Sequence, residues 1–301
     1  MDRKLFSDFF YRNLPSEMEQ CIGLFAIFGG LDDPINTDED VETLIIKHIL
    51  EPFEIHRKYI FEPLGDDPLY GKLLHAISIG DRRLDSAYRR ARIGKERGSE
   101  AFGFLRRIGY LSIEHSREVP LLKIHPKQRF KKEIERHKIS HKLRFQNPFL
   151  RFWFAFVEPF SKSIGEHNYA PMMEHFNTHY NEFVGFIFEE LCGLFIDEIL
   201  SLRFEDTVID SGSYWDREVE IDLLNETAHG ELWIGECKWT NHKLNKKELR
   251  KLEEKWIKLS LAPDKILLFS KRGFSNELLT LKERRLYLYR AEDLEALTRR
   301  L

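Results

Sequence analysis

The sequence predicts an α/β C-terminal domain, a mixed sheet flanked by helices, preceded by a mainly helical N-terminal region. Three observations carry that reading. Apolar residues recur at helical spacing through the first half; the period then changes to strict alternation in "EVEIDLL" and "ELWIGECKW"; and amphipathic runs such as "NKKELRKLEEKWIKL" separate later strand-like ones. Strands alternating with helices build a sheet covered by helices. A chain of 301 residues, 42% hydrophobic and 32% charged, is long enough for two or three structural units around a sizeable core. Extensive disorder is excluded by that composition.

Residues 1–65 read as an acidic helical segment, broken at "GGLDDPINTDED", where Thr37 precedes acidic residues as an N-cap does. Residues 66–143 have a different rhythm. Leu69, Leu73, Leu74 and Ile77 mark one helix that Gly80 ends, "RLDSAYRRARI" a second and "SEAFGFLRRIGYL" a third, before strand-like "YLSIEH" and "PLLKIH". Three helices and a hairpin are the layout of a winged helix-turn-helix, whose third helix commonly enters the major groove. Arg89, Arg90, Arg92, Lys95 and Arg97 ahead of that helix, and Arg106 and Arg107 on it, are the candidate nucleic-acid contacts. Charge supports them: residues 81–144 hold 19 Lys+Arg against 8 Asp+Glu, whereas residues 1–80 hold 7 against 15 and residues 145–301 hold 21 against 27. A basic middle between acidic ends suits phosphate neutralisation, and equally suits a solvated face packed on its acidic neighbours.

Residues 144–301 form the predicted C-terminal domain. The aromatic run "RFQNPFLRFWFAFVEPF" reads as packing rather than a base-stacking platform. A long helix follows, with Phe183, Phe186, Ile187, Leu191, Leu194 and Phe195 on its apolar face and Glu182 and Glu189 as acids near it. Strands are expected at "RFEDTVID", "EVEIDLL", "ELWIGECKW" and "DKILLFS", and "LYLYRAEDLEAL" as a strand running into a final helix.

Within "LWIGECKWT", alternation puts Glu236 and Lys238 on one face and Cys237 on the other. A hairpin lays Asp222, fourteen residues before Glu236, beside it on that face. Two converging carboxylates suit Mg²⁺ or Mn²⁺, and an adjacent lysine can position a water, help to deprotonate it, or neutralise charge in phosphodiester cleavage. The bland alternative is a buried ion pair that fixes strand register, with Glu220 as a further ligand or a solvated residue. His175 and His179 share a helix face but lack the HExxH glutamate and a completing cysteine, which argues against zinc. Cys21, Cys192 and Cys237 contain no CxxC and suggest no disulfide framework, a charged start lacks an apolar signal region, and a cytoplasmic protein without a membrane span is expected.

Asp222 followed by Glu236-Cys237-Lys238 resembles the D…(D/E)xK signature of the restriction-endonuclease-like superfamily. That resemblance implies a further acid from the first helix, best matched by Glu189, with Glu182 the second choice. More closely, "NPFLRFWFAFVEPF", "FVGFIFEELC", "YWDREVEIDLL" and "GECKW" resemble the C-terminal region of the archaeal-type P-loop ATPases, in which a winged helix precedes a nuclease-like domain; the resemblance covers roughly Pro68 to Leu301. No GxxxxGK[ST] is present, so the ATPase module of those relatives is missing, and an ATPase supplied in trans is a candidate partner. The expectation is a DNA-binding protein with an Mg²⁺- or Mn²⁺-dependent endonuclease site: Asp222 and Glu236 on the metal, Lys238 and Glu189 completing the catalytic set, and double-stranded DNA as substrate. Cutting both strands calls for two sites and hence a homodimer. The alternative is a non-catalytic DNA-binding or assembly protein on an inactive nuclease-like fold.

Overall fold

The computed structural model describes residues 2–118, 125, 139 and 141–299. The helical half begins with α1 (Arg3–Asn13), α2 (Met18–Phe28), α3 (Val41–Ile45) and α4 (Phe53–Phe61). Gly29 to Asp40 is the expected break, but the cap on α3 is Asp40, whose side chain accepts from the Thr43 amide at 2.9 Å, and not Thr37. A carboxylate at the N-cap is well placed, since it meets both a free amide and the positive end of the helix.

Next come α5 (Pro68–Ser78), α6 (Leu84–Ala91) and α7 (Lys95–Arg107), followed by strand β1 (Leu111–Glu114). The four apolar residues expected on α5 are all buried. Gly98 lets α7 close on α6, since a Cβ there would meet the Tyr88 ring at 2.7 Å. The second strand differs from expectation. β1 pairs antiparallel with β2 (Lys142–Phe145), Leu111 opposite Phe145, whereas "PLLKIH" falls on residues 120–125, of which only His125 lies among those described.

The aromatic run does pack inward: α8 (Pro148–Phe152) continues as a π turn through Val157, and Phe152, Trp153 and Phe154 are fully buried. After α9 (Ser161–Gly165), α10 (Ala170–Phe195) crosses the molecule. Its apolar stripe covers one face of a five-stranded mixed sheet of order β3-β6-β7-β8-β9, built from β3 (Val208–Asp210), β6 (Leu223–Thr227), β7 (Leu232–Lys238), β8 (Lys265–Ser270) and β9 (Leu286–Arg290). A separate ribbon pairs β4 (Tyr214–Trp215) with β5 (Glu220–Ile221). The first three sheet strands run antiparallel and the last three parallel, with α11 (Lys246–Lys258) and α12 (Asn276–Leu279) as the crossovers. Alternation divides the sheet's side chains: Trp233, Cys237, Leu267 and Phe269 pack toward α10, and Ile234, Ile266 and Leu268 toward α11, with Leu252 and Trp256. The final segment, Ala291–Thr298, is a 3₁₀ helix and not an α-helix; it receives α1, whose Arg3 Nε donates to the Leu297 carbonyl at 2.9 Å. Among the described residues no helix is long and apolar enough to cross a membrane.

A buried charge network joins the two halves. Glu114 on β1 accepts from Arg144 on β2 at 2.7 and 3.0 Å, from Arg82 at 3.2 Å and from the Ser213 hydroxyl at 2.9 Å. Arg144 and Arg82 also reach Glu190 of α10, at 3.6 and 4.0 Å. Burial alone would raise the Glu114 pKa, but the charges of Arg144 and then Arg82 outweigh it and hold the carboxyl at about 2. Since the folded value lies below the ordinary one, this stabilisation is present above about pH 4.5 and is lost as pH falls toward about 2, a swing on the order of 3 kcal/mol. Glu114→Gln is expected to be less stable at pH 7 and to show a flatter loss of stability in acid, read from urea unfolding between pH 7 and pH 3.

Candidate active site

The site lies where β6 breaks. Leu223 pairs with Gly235 and Leu224 with Ile234, and the same register carried one step on sets Asp222 opposite Glu236. Asp222 itself stands between β5 and β6 in a bend, outside both strands. There its Oδ2 accepts from the Cys237 amide at 2.9 Å, so a side chain takes over a bond that a strand carbonyl would supply. Glu236 and Lys238 share the α11 face as alternation requires: Lys238 Nζ is 2.6 Å from Glu236 Oε1 and 3.9 Å from Asp222 Oδ2.

A residue not picked out by the sequence reading completes the cluster. Lys255, on α11, donates to Glu236 Oε2 at 2.6 Å, so both oxygens of this buried carboxylate meet an ammonium group. No local pattern marks Lys255, one of several charges on an amphipathic helix; only the seating of α11 on the sheet brings it to Glu236.

Glu189 is placed differently. It rises from α10, which packs on the opposite face of the sheet, and it is near enough to Asp222 for the two charges to interact. Removal from water, reinforced by the Asp222 charge, pushes its carboxyl up to about 8, against the smaller opposing pull of Arg82, Lys238 and Lys142. Asp222 is pushed up to about 6, by burial first and by Glu236 second. For both carboxyls burial is thus the leading cause, and a neighbouring carboxylate adds to it. Burial opposes the charged form of Lys238, but Asp222 and Glu236 prevail and keep its ammonium firmly protonated. Among the described residues no three His, Cys, Asp or Glu side chains converge as a ready metal cluster.

The other candidates divide. Glu220 is engaged by Lys142, which also lies over the Trp215 ring, and approached by Arg83 at 4.0 Å. Glu182 lines an aromatic cavity away from Asp222. His175 and His179 stack with ring centroids 4.3 Å apart. Cys237 lies buried toward α10 beside Cys192, and burial pushes its thiol well up, as a core position demands. All seven basic candidates are exposed. Arg89, Arg90, Arg92, Lys95 and Arg97 surround the α6–α7 turn, Arg97 paired with Asp67 at 3.0 Å, while Arg106 and Arg107 stand at the far end of α7, roughly 18 Å along its axis.

The Glu236 cluster yields a measurable coupling. A double-mutant cycle of Glu236→Gln and Lys255→Met is expected to give about 1–3 kcal/mol of interaction in chemical denaturation, and a value near zero would place Lys255 outside the cluster.

Comparison with known proteins locates the most family-like part of the chain. Residues 153–252, from within the aromatic run to the middle of α11, match the model of DUF234, described as Archaea bacterial proteins of unknown function. An uncharacterized protein of Methanocaldococcus jannaschii is 27% identical over 194 residues, which cover 62% of this chain and 38% of that relative. The match thus spans well under half the length of the relative. No solved structure gives a significant match. The family segment contains Glu189, Asp222, Glu236 and Lys238, so the candidate site lies within the part of the chain that is similar to those archaeal and bacterial proteins.

Proposed function

We propose that this chain is a DNA-binding protein with a divalent-metal-dependent phosphodiesterase site, built on a restriction-endonuclease-like domain and preceded by a winged helix-turn-helix. The observation that carries the reading is the meeting of Asp222, Glu236 and Lys238 at a strand break. The donor chemistry fits Mg²⁺ or Mn²⁺, which need only one or two carboxylates and fill their remaining positions with water and substrate oxygens. Asp222 and Glu236 supply those two carboxylates, each within 4.0 Å of the Lys238 ammonium. Asp222 and Glu236 would hold the ion, with one lysine giving up its bond to Glu236. When bound, such an ion activates water and neutralises charge on the phosphate.

The protein's own groups have distinct tasks in this reading. Lys238, protonated at neutral pH, serves as a fixed positive charge against the scissile phosphate and not as a base. Lys255 holds Glu236 in place. The arginines and lysines of α6 and α7 bind duplex phosphates, an interaction that weakens as salt rises. A second reading, a non-catalytic DNA-binding or assembly protein, is favoured by one observation: both Glu236 oxygens are already satisfied by ammonium groups.

Plasmid nicking in Mg²⁺ or Mn²⁺, with an EDTA control, decides between them. Cleavage is expected to require the metal and to fall about 100-fold or more in Asp222→Asn and Lys238→Ala. Cutting that survives Lys238→Ala would remove the assigned site, and DNA binding without any cutting would establish the second reading. For the basic surface, Arg89→Ala with Arg106→Ala is expected to weaken duplex binding and to reduce the slope of log affinity against log salt by about 2. An unchanged slope would take DNA off this face.

A further inference from the structure

A cavity of about 440 Å³ lies between α5, the π turn after α8, and α10. Its walls are aromatic, chiefly Phe156, Phe160, Phe183 and Phe186, and Ile79, half exposed, stands at its rim. Arg151 also lines it, and Arg151 is unusual. The residue is only 6% exposed, yet among the described residues no carboxylate lies within 4.0 Å of its guanidinium. Its Nη1 donates to the Phe183 carbonyl at 2.9 Å, its Cζ stands 4.2 Å from the Phe183 ring centre and 4.6 Å from that of Phe186, and its Nε is enclosed without a hydrogen-bond partner. Arg82 stacks on Phe186 as well, at 4.7 Å, which adds like charge.

Carbonyls and ring faces offset a buried guanidinium only in part; an uncompensated buried charge is costly, and the usual remedy is an opposite charge in direct contact. Burial first, and the neighbouring Arg82 second, lower the Arg151 pKa to about 9, and the charges of Glu190, Glu189 and Glu182, none within 4.0 Å, offset them only in part. The other titratable groups at the cavity are His75, His175, His179 and Glu182. His75 Nδ1 meets the Phe154 carbonyl at 2.8 Å and His179 Nδ1 meets the His175 carbonyl at 2.9 Å. Donation to a carbonyl fixes each neutral ring with Nε2 as an acceptor, suited to a ligand hydroxyl or amide and not to its anion. The volume is that of a small-molecule site, and its combination of apolar walls with a few polar and charged groups, Arg151 the most buried of them, is typical of such sites.

We propose that this cavity binds a small amphiphilic anion, an aromatic or short aliphatic carboxylate or phosphate monoester, with its charged group on Arg151 and its body against the phenylalanines. None of the residues lining the cavity belongs to the Asp222 cluster, and its test involves no cleavage.

Thermal unfolding of the full chain with four probes tests it: benzoate, phenyl phosphate, benzyl alcohol and inorganic phosphate. Benzoate or phenyl phosphate is expected to raise Tm in proportion to the logarithm of its concentration, and the better of the two identifies the headgroup. Benzyl alcohol and inorganic phosphate are expected to leave Tm unchanged. Arg151→Met should abolish the shift. Ile79→Trp, which fills the rim and leaves Arg151 in place, should abolish it too and keeps the test decisive if the Arg151 variant does not fold. No shift with either anion, an equal shift with benzyl alcohol, or an undiminished shift in Ile79→Trp overturns the proposal.

Discussion

Glu114 is the residue on which the arrangement of the two halves depends. Its carboxylate is buried on the β1–β2 ribbon, and a buried charge is tolerable only when paired and hydrogen-bonded. Arg82 and Arg144 supply the pairing, Ser213 a further bond, and through Glu190 the same arginines tie the ribbon to α10. Arg82 does this from a left-handed backbone conformation, φ 60°, that a non-glycine residue adopts at some cost. That conformation aims its side chain inward, where it also stacks on Phe186. The seating is therefore held by charge geometry that has few equivalent solutions.

The consequence is felt at the candidate site. Arg82 and Lys142 belong to the helical half and its ribbon, yet both act on the charge of Glu189. Asp222 sits where β6 is interrupted, so its carboxylate can bond the Cys237 amide and still face Lys238. A continuous strand would have used a backbone carbonyl there and left the side chain without that role. The electrostatics at this edge thus combine three sources: the strand pair, α11 through Lys255, and the docked basic unit. Each carries charges that would be costly without the others.

A good part of this organisation was legible in the residues. Alternation in "ELWIGECKW" is enough to put Glu236 and Lys238 on one face, because strand side chains repeat every two residues whatever surrounds them. Apolar spacing marked α5, α10 and α11, since burying a helix requires a stripe of that period. The aromatic run from Phe145 to Phe156 read as core, and it is core. Less was available at ends and caps: Asp40 and Thr37 both satisfy the chemistry of an N-cap, and the choice rests on where the chain turns.

What the sequence determined by itself was periodicity and inventory: a helical first half, a mixed sheet after it, a basic middle, and an acid–lysine pair on a shared strand face. Tertiary structure alone decided the partners. Lys142–Phe145, far along the chain, pairs with Leu111–Glu114, and Lys255 comes to Glu236 from a separate helix. It also decided that Glu189, on the helix that covers the opposite face of the sheet, feels the charge of Asp222, and that the enclosed Arg151 guanidinium has no carboxylate within 4.0 Å among the described residues. The physical reason is common to all four: they depend on distances between elements remote in sequence, which follow from how apolar faces and buried charges are jointly satisfied, and no local pattern of residues encodes them.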